Sequence, residues 1–288
     1  MSDQGFIATD SQRRQESVTV VKITEHQQKE ISDQLTVEEP LEIKLSAPDL
    51  EEMTLAITMR TPGQDQELAL GFLFTEGIIQ TMEQVISIEH CSPASPDKGF
   101  HNTIRIALSQ EASFDPDQLK RNFYSSASCG VCGKTSIESV MNASLNPIPD
   151  TYRISGTCLK TLPKMLSNQQ LEFAHTGGSH AAGLIDSAGN LVVVREDIGR
   201  HNALDKLIGQ QLLAGALPLT GYGLMLSGRP GFELIQKGAM AGIEVIAGIG
   251  PPSSLAQELA EECGITLAGF VRDTGYNLYT HPHRVVKQ

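Results

Sequence analysis

Two thiols stand two residues apart in the stretch Ser128-Cys129-Gly130-Val131-Cys132-Gly133-Lys134. The glycines make this a loop sequence rather than a piece of core, and the spacing puts both sulfurs within mutual reach. A pair of this kind suits three chemistries: a disulfide switch, half of a zinc site, or a sulfur carrier whose second thiol assists the first. An acceptor of sulfane sulfur needs an exposed, partly ionised thiol that attacks the outer sulfur of a persulfide. Lys134 and a helix start near Thr135 would favour the thiolate.

The rival chemistries meet obstacles. Zinc needs two further ligands, and Cys158, His175, His180 and His201 lie at irregular spacing with no second Cys-x-x-Cys. Zinc deaminases combine His-x-Glu with Pro-Cys-x-x-Cys, whereas Ser128 precedes Cys129 and the chain has no His-x-Glu. We therefore expect no metal. Gly133-Lys134-Thr135 mimics the end of a P-loop, but the leading glycine falls at Ser128. A thioredoxin-like oxidoreductase remains a rival enzyme class. Cys91, Cys158 and Cys263 read as small core residues.

The elements that must hold such a loop are legible in the periodicity. Leu41 to Leu45 and Leu55 to Met59 alternate as strands do, Glu67 to Ile79 has the spacing of a helix, and Val85 to Ile88 and Thr103 to Leu108 return to strand. Beyond the cysteines, apolar strands alternate with helices: Leu191 to Val194, Ala203 to Leu213, Gly223 to Leu226, Ile243 to Ala247, Leu255 to Glu262 and Ile265 to Phe270. This predicts a flexible tail over 1–35, a small α+β domain over 36–124, and an α/β domain over 125–288 that carries the Cys-x-x-Cys loop.

Between the C-terminal elements lie Gly-rich polar turns: Thr176-Gly177-Gly178-Ser179-His180, Glu196 to Asn202, Ser227-Gly228-Arg229-Pro230-Gly231, Gly248-Ile249-Gly250-Pro251-Pro252, and Phe270-Val271-Arg272-Asp273-Thr274-Gly275. Bare amides, arginines and helix starts suit an anionic, nucleotide-like ligand. His201, at a helix start, would touch phosphate or base, or make a structural hydrogen bond. The His281-Pro282-His283 end reads as a solvated tail. The net charge of −12 argues against general nucleic-acid binding. A polar N-terminus and the lack of a long apolar run point away from export and membrane insertion, and five cysteines in 288 residues suit a reducing, cytoplasmic setting.

As an ordered set these motifs resemble one family, the formate dehydrogenase accessory sulfurtransferases, or FdhD family. The residues that carry the likeness are Arg60-Thr61-Pro62-Gly63, Glu67 to Leu73, Glu76-Gly77-Ile78-Ile79, the Cys129–Cys132 loop, Thr176-Gly177-Gly178, Glu196 to Ala203 and Ser227-Gly228-Arg229. The resemblance implies a sulfur carrier that accepts sulfane sulfur from a cysteine desulfurase on Cys129. Cys132 would either assist or help hold the loop. The sulfur would pass to the molybdenum cofactor, bis-molybdopterin guanine dinucleotide, before its insertion into formate dehydrogenase. The resemblance further implies a cytidine deaminase-like C-terminal fold, a homodimer, and cofactor binding by Phe270, Val271, Arg272, Asp273, Thr274 and Gly275. An escort that binds the cofactor without moving sulfur is the alternative outside enzymology.

Overall fold

The computed structural model describes residues 13–48, 50–91, 99–112 and 148–287. Cys129 and Cys132, and the expected domain boundary at 124/125, lie outside the described residues. In chain order the elements are β1 (Gln15–Ile23), β2 (Gln28–Thr36), β3 (Glu39–Ala47), β4 (Leu50–Arg60), α1 (Asp65–Thr75), β5 (Val85–His90), β6 (Thr103–Leu108) and β7 (Ile154–Ser155). They continue with α2 (Gly156–Gln169), α3 (Leu171–Thr176), β8 (His180–Ile185), β9 (Leu191–Asp197), α4 (Arg200–Leu213), β10 (Gly223–Leu226) and α5 (Phe232–Met240). The chain ends with β11 (Val245–Gly248), α6 (Ser254–Cys263), β12 (Thr266–Arg272), β13 (Gly275–Thr280) and β14 (Val285–Val286). The protein is thus mixed α/β, as the alternation of periods predicts.

The N-terminal part is a four-stranded sheet in the order β4-β3-β6-β5. Along β3, Leu41, Ile43 and Leu45 are buried while Pro40, Glu42 and Lys44 face outward, and Ile104, Ile106 and Leu108 repeat the pattern on β6. Period-two burial of this kind stabilises one face of a sheet and leaves the other to water. The C-terminal part is a six-stranded sheet in the order β13-β12-β11-β10-β8-β9. Its central strands β10, β11 and β12 are parallel and buried throughout or nearly so, because helices cover both faces. Ala182, Leu184, Leu224, Leu226 and Ile246 meet α4, α5 and α6 on one face, while Ala181, Ile185, Met225, Ala247 and Ala268 meet Leu159, Leu162 and Leu166 of α2 on the other.

The two sheets share one apolar core. It runs from Leu41 and Ile104 through Leu68, Leu70 and Leu73 of α1 to Leu204, Leu207 and Ile208 of α4. Helix α1 can approach α4 so closely because two glycines meet at the crossing. A Cβ on Gly71 would stand 1.8 Å from the Asp205 carbonyl oxygen, and one on Gly209 would stand 1.8 Å from that of Glu67. No other residue type fits there without moving a helix.

Three expectations need correction. The stretch from residue 13 to 36 is not a tail but the antiparallel hairpin β1–β2. Its apolar content is low, so it is held instead by polar ties to α3: Arg14 Nη1 lies 3.4 Å from Glu172 Oε1, and the Thr36 and Thr176 hydroxyls are 2.6 Å apart. Cys91 is exposed rather than core, since it follows β5 where the chain leaves the sheet, whereas Cys263 is buried and Cys158 half-buried. The His281–His283 end is anchored, because the neighbouring Arg284 is buried against Glu244 and β14 pairs with β7.

Candidate functional site

Strand directions bring the Gly-rich turns to a single edge. β8 runs antiparallel to β10, and β9 antiparallel to β8, so β9 points the same way as β10, β11 and β12. The carboxyl ends of these four strands therefore lie together with His180, the first residue of β8. Three of them lead straight into helices: β9 into α4, β10 into α5 and β11 into α6. Helices α4 and α5 start without a side-chain cap, while Ser253 Oγ accepts from Ala256 N at the start of α6, and all three N-termini face this edge, which favours negative charge there. In open α/β sheets the crevice outside the strand carboxyl ends is where ligands bind.

The turns are laced to one another by main chain. Ser227 N donates to Ala181 O at 3.0 Å, and its Oγ accepts from Ala181 N at 2.8 Å. Gly250 N donates to Gly228 O at 3.1 Å, and Phe270 N to Gly250 O at 3.3 Å. A Cβ on Gly250 would sit 2.6 Å from Arg229 Cγ, and one on Gly248 would sit 2.5 Å from Pro230 Cγ. The glycines are thus required for the turns to nest. The outcome is a rim of backbone with few side chains above it.

The side chains that do rise from the rim are cationic. Arg200 begins α4, Arg229 lies between β10 and α5, and Arg272 ends β12; all three are exposed. None of the three makes a side-chain hydrogen bond or ion pair among the described residues. Arginines elsewhere behave otherwise. Arg14, Arg60, Arg105, Arg153, Arg195 and Arg284 each reach a carboxylate within 3.4 Å, and Arg13 reaches the Gln15 carbonyl. Three unpaired guanidinium groups on one rim suit an anion that can accept paired hydrogen bonds.

Of the polar residues expected at the site, the structure uses several internally. Glu196 accepts from Glu172 N, Phe173 N and the Ser179 hydroxyl at 2.9, 3.0 and 2.7 Å, which caps α3. Asp197 is fully buried, pairs with Lys206 Nζ at 2.7 Å and accepts from Thr61 N at 3.1 Å. Burial pushes the Lys206 ammonium below its ordinary value, against the pull of Asp197. Asn202 donates to Met59 O at 2.7 Å. These residues fasten the rim to the N-terminal sheet. His201 stays at the rim, with Nε2 2.8 Å from Glu233 Oε2.

The Phe270–Gly275 segment is the β12–β13 hairpin. Its register slips between Gly269 and Arg272, and Phe270 adopts φ 52° at that bulge. A bulky residue in the left-handed region is strained, and bulges of this kind re-aim side chains near sites. Phe270, Arg272, Asp273 and Thr274 are exposed at the rim, while the Val271 side chain is buried in the core beneath it. Only the main chain of Val271 is available to a ligand.

The four groups weighed as zinc ligands do not come together. Cys158 Sγ donates to Gly189 O at the opposite edge, and His175 Nδ1 lies 2.7 Å from Leu171 O on its own helix. His180 packs against Gly228. Among the described residues, no three His, Cys, Asp or Glu side chains converge to hold a metal ion. No helix of the described residues is long and apolar enough to cross a membrane. Glu233 was not legible from sequence as a rim residue. Its signal is its place in the first turn after Gly231, one turn before Lys237.

A model of the FdhD/NarQ family matches residues 36–286. A sulfur carrier protein FdhD from Mycolicibacterium paratuberculosis is 46% identical over 253 residues, which is 87% of this chain and 91% of that protein. A protein of the same name from Sulfurisphaera tokodaii is 41% identical over 270 residues, 93% of this chain and 98% of its own. The crystal structure of a putative formate dehydrogenase accessory protein from Desulfotalea psychrophila superimposes with a TM-score of 0.74 at 25% identity, over 95% of this chain and 100% of that one.

Proposed function

The chain belongs to the FdhD/NarQ family, and from that premise we propose that it is a sulfur carrier that serves formate dehydrogenase. The observation that carries the reading is its close identity, over most of its length, to proteins named as sulfur carriers. In the proposed reaction the Cys129 thiolate attacks the outer sulfur of a persulfide on a cysteine desulfurase. The desulfurase cysteine leaves as thiolate, and Cys129 persulfide remains. The Cys132 thiolate then attacks Cys129 Sγ, expels hydrosulfide toward the acceptor and leaves a Cys129–Cys132 disulfide. A thiol reductant restores the pair.

The acceptor is proposed to be the molybdenum cofactor as substrate, bis-molybdopterin guanine dinucleotide, held at the rim. The three unpaired arginines and three helix starts fit its pyrophosphates, and Asp273 would accept from a guanine edge. Phe270, Arg272, Thr274, Gly275 and the main chain of Val271 would complete that contact. Holding the acceptor in place replaces loss of free sulfide to water with directed transfer. We place this work in the cytoplasm, where the thiols stay reduced. A homodimer fits the exposed apolar side chains of Val21, Ile23, Leu171 and Phe173.

Intact-protein mass spectrometry after incubation with a cysteine desulfurase and L-cysteine tests the reading. The native protein is expected to gain one sulfur atom, and Cys129→Ala none. Equal gain by both would reject it. A thiol-disulfide oxidoreductase would instead reduce a disulfide substrate through many turnovers without holding sulfur.

A further inference from the structure

Helices α4 and α5 are joined by two charge pairs, one helical turn apart. In the inner pair, Lys237 Nζ donates to Asp205 Oδ1 and Oδ2 at 2.8 and 2.9 Å and to Thr75 Oγ1 at 2.8 Å, all buried. The outer pair, His201 and Glu233, stands at the rim with side chains 20% and 13% exposed. His201 precedes Asp205 by four residues and Glu233 precedes Lys237 by four, so the pairs stack along both helices. Along α4 the signs run from cation to anion when His201 is protonated, and along α5 from anion to cation.

In the inner pair burial pushes the Asp205 carboxyl up while Lys237 pulls it down, and the 2.8 and 2.9 Å hydrogen bonds hold the two together. Burial would lower the Lys237 ammonium, but Asp205 and Glu76 outweigh burial and hold it above its ordinary value. Glu233 is anionic as well. Burial alone would raise its carboxyl, yet the hydrogen bond and charge of His201, with Lys237 and Arg200, hold it below 4.5. Other charged groups stand near this pair. Arg200 is cationic throughout. His180, on β8, is pushed below 6.5 by burial, then by Arg200 and His201, against the opposing pull of Asp197. Asp205, one turn inward, is already matched by Lys237.

We propose that His201 and Glu233 form a protonation-controlled gate on anion binding at this rim. With His201 protonated the pair is neutral and Arg200 is free to draw an anion. Once the imidazole loses its proton, Glu233 becomes an unmatched carboxylate beside Arg200 and opposes the same anion. Imidazole is the side chain that ordinarily titrates between about pH 5 and 8, and the test spans that range. Affinity for an anionic ligand therefore falls as pH rises. The inference rests on the rim being an anion site, and it adds the proton as the regulator of that site.

The test uses diguanosine pyrophosphate as probe, because its pyrophosphate diester does not titrate in this range. Calorimetric titrations of the native protein, Glu233→Gln and His201→Gln at about pH 6, 7 and 8 are compared, with the thermal midpoint of each protein checked. The native protein is expected to bind roughly tenfold more weakly at the high end than at the low end. Glu233→Gln is expected to bind more tightly than the native protein at about pH 8, because the opposing carboxylate is gone, and His201→Gln to bind weakly with a flattened profile. A native affinity that does not change with pH, a Glu233→Gln affinity at about pH 8 no higher than the native one, or a His201→Gln profile as steep as the native one overturns the gate. No binding at any pH removes the anion site itself and the gate with it, whereas binding with a flat profile removes the gate alone.

Discussion

Around the α1–α4 crossing, charge is used as internal fastening; along the rim of the six-stranded sheet it is left unspent. In the first region Arg60 grips Asp65 with two hydrogen bonds of 2.9 Å, and both side chains are fully buried. Lys206 and Lys237 are closed off in the same way by Asp197 and Asp205. In the second region Arg200, Arg229 and Arg272 stand exposed over glycine-rich turns, and none of them makes a side-chain hydrogen bond or ion pair among the described residues. A buried cation without a partner costs several kcal/mol, so the interior cannot leave one open. A surface cation costs little, so its isolation is affordable to the fold and informative about function. The same residue type thus fastens the interior in one place and, in the proposed function, meets a ligand in the other.

Substitutions should separate the two regions by size of effect. Arg60→Ala takes two hydrogen bonds from the buried Asp65 carboxylate and leaves it only His90 Nε2 at 3.6 Å among the described residues, and a loss of about 3–5 kcal/mol is expected in denaturant unfolding. A loss under about 1 kcal/mol would show that the pair is not the fastening described. Next comes Gly209→Ala, where the added methyl meets the Glu67 carbonyl. About 3 kcal/mol is expected from overpacking, and unchanged stability would mean that the helices cross farther apart.

A smaller effect is expected at Glu244, which ties the segment before β7 to the sheet. It accepts from Thr151 N, Tyr152 N and Gly221 N at 2.7, 2.9 and 2.8 Å, and from the Thr151 hydroxyl. Burial would raise this carboxyl, but the Thr151 hydroxyl and the three amides hold it below its ordinary 4.5. A lowered folded value means that the stabilisation is complete above pH 4.5 and is lost as the pH falls below it. Glu244→Gln should cost about 1 kcal/mol near neutral pH and flatten the acid limb of the stability profile. An acid limb as steep as the native one would contradict this.

Much of this was legible from the residues alone. Period-two runs such as Leu41 to Leu45 and the buried stretch Gly223 to Leu226 declare strands, because their burial is repeated locally. The hairpin β1–β2 was hidden, since its order comes from Arg14 and Thr36 reaching residues of α3 far along the chain. At the rim, the glycine turns and arginines suggested the anionic ligand proposed above. Sequence could not say that Glu196 and Asp197 in the same turn face inward, because their partners Glu172, Thr61 and Lys206 are fixed by packing between elements. Glu233 escaped for the same reason, as its meaning depends on α4 and α5 lying side by side.

The measurement that bears most directly on the contrast is calorimetric binding of diguanosine pyrophosphate to the native protein and to Arg200→Ala, Arg229→Ala and Arg272→Ala, each paired with thermal unfolding. Each substitution is expected to leave stability within about 0.5 kcal/mol of native, because no internal partner is lost. Each is also expected to weaken binding by roughly tenfold or more. Native affinity in all three variants, or a stability loss as large as that of Arg60→Ala, would contradict the assignment of these arginines to a ligand.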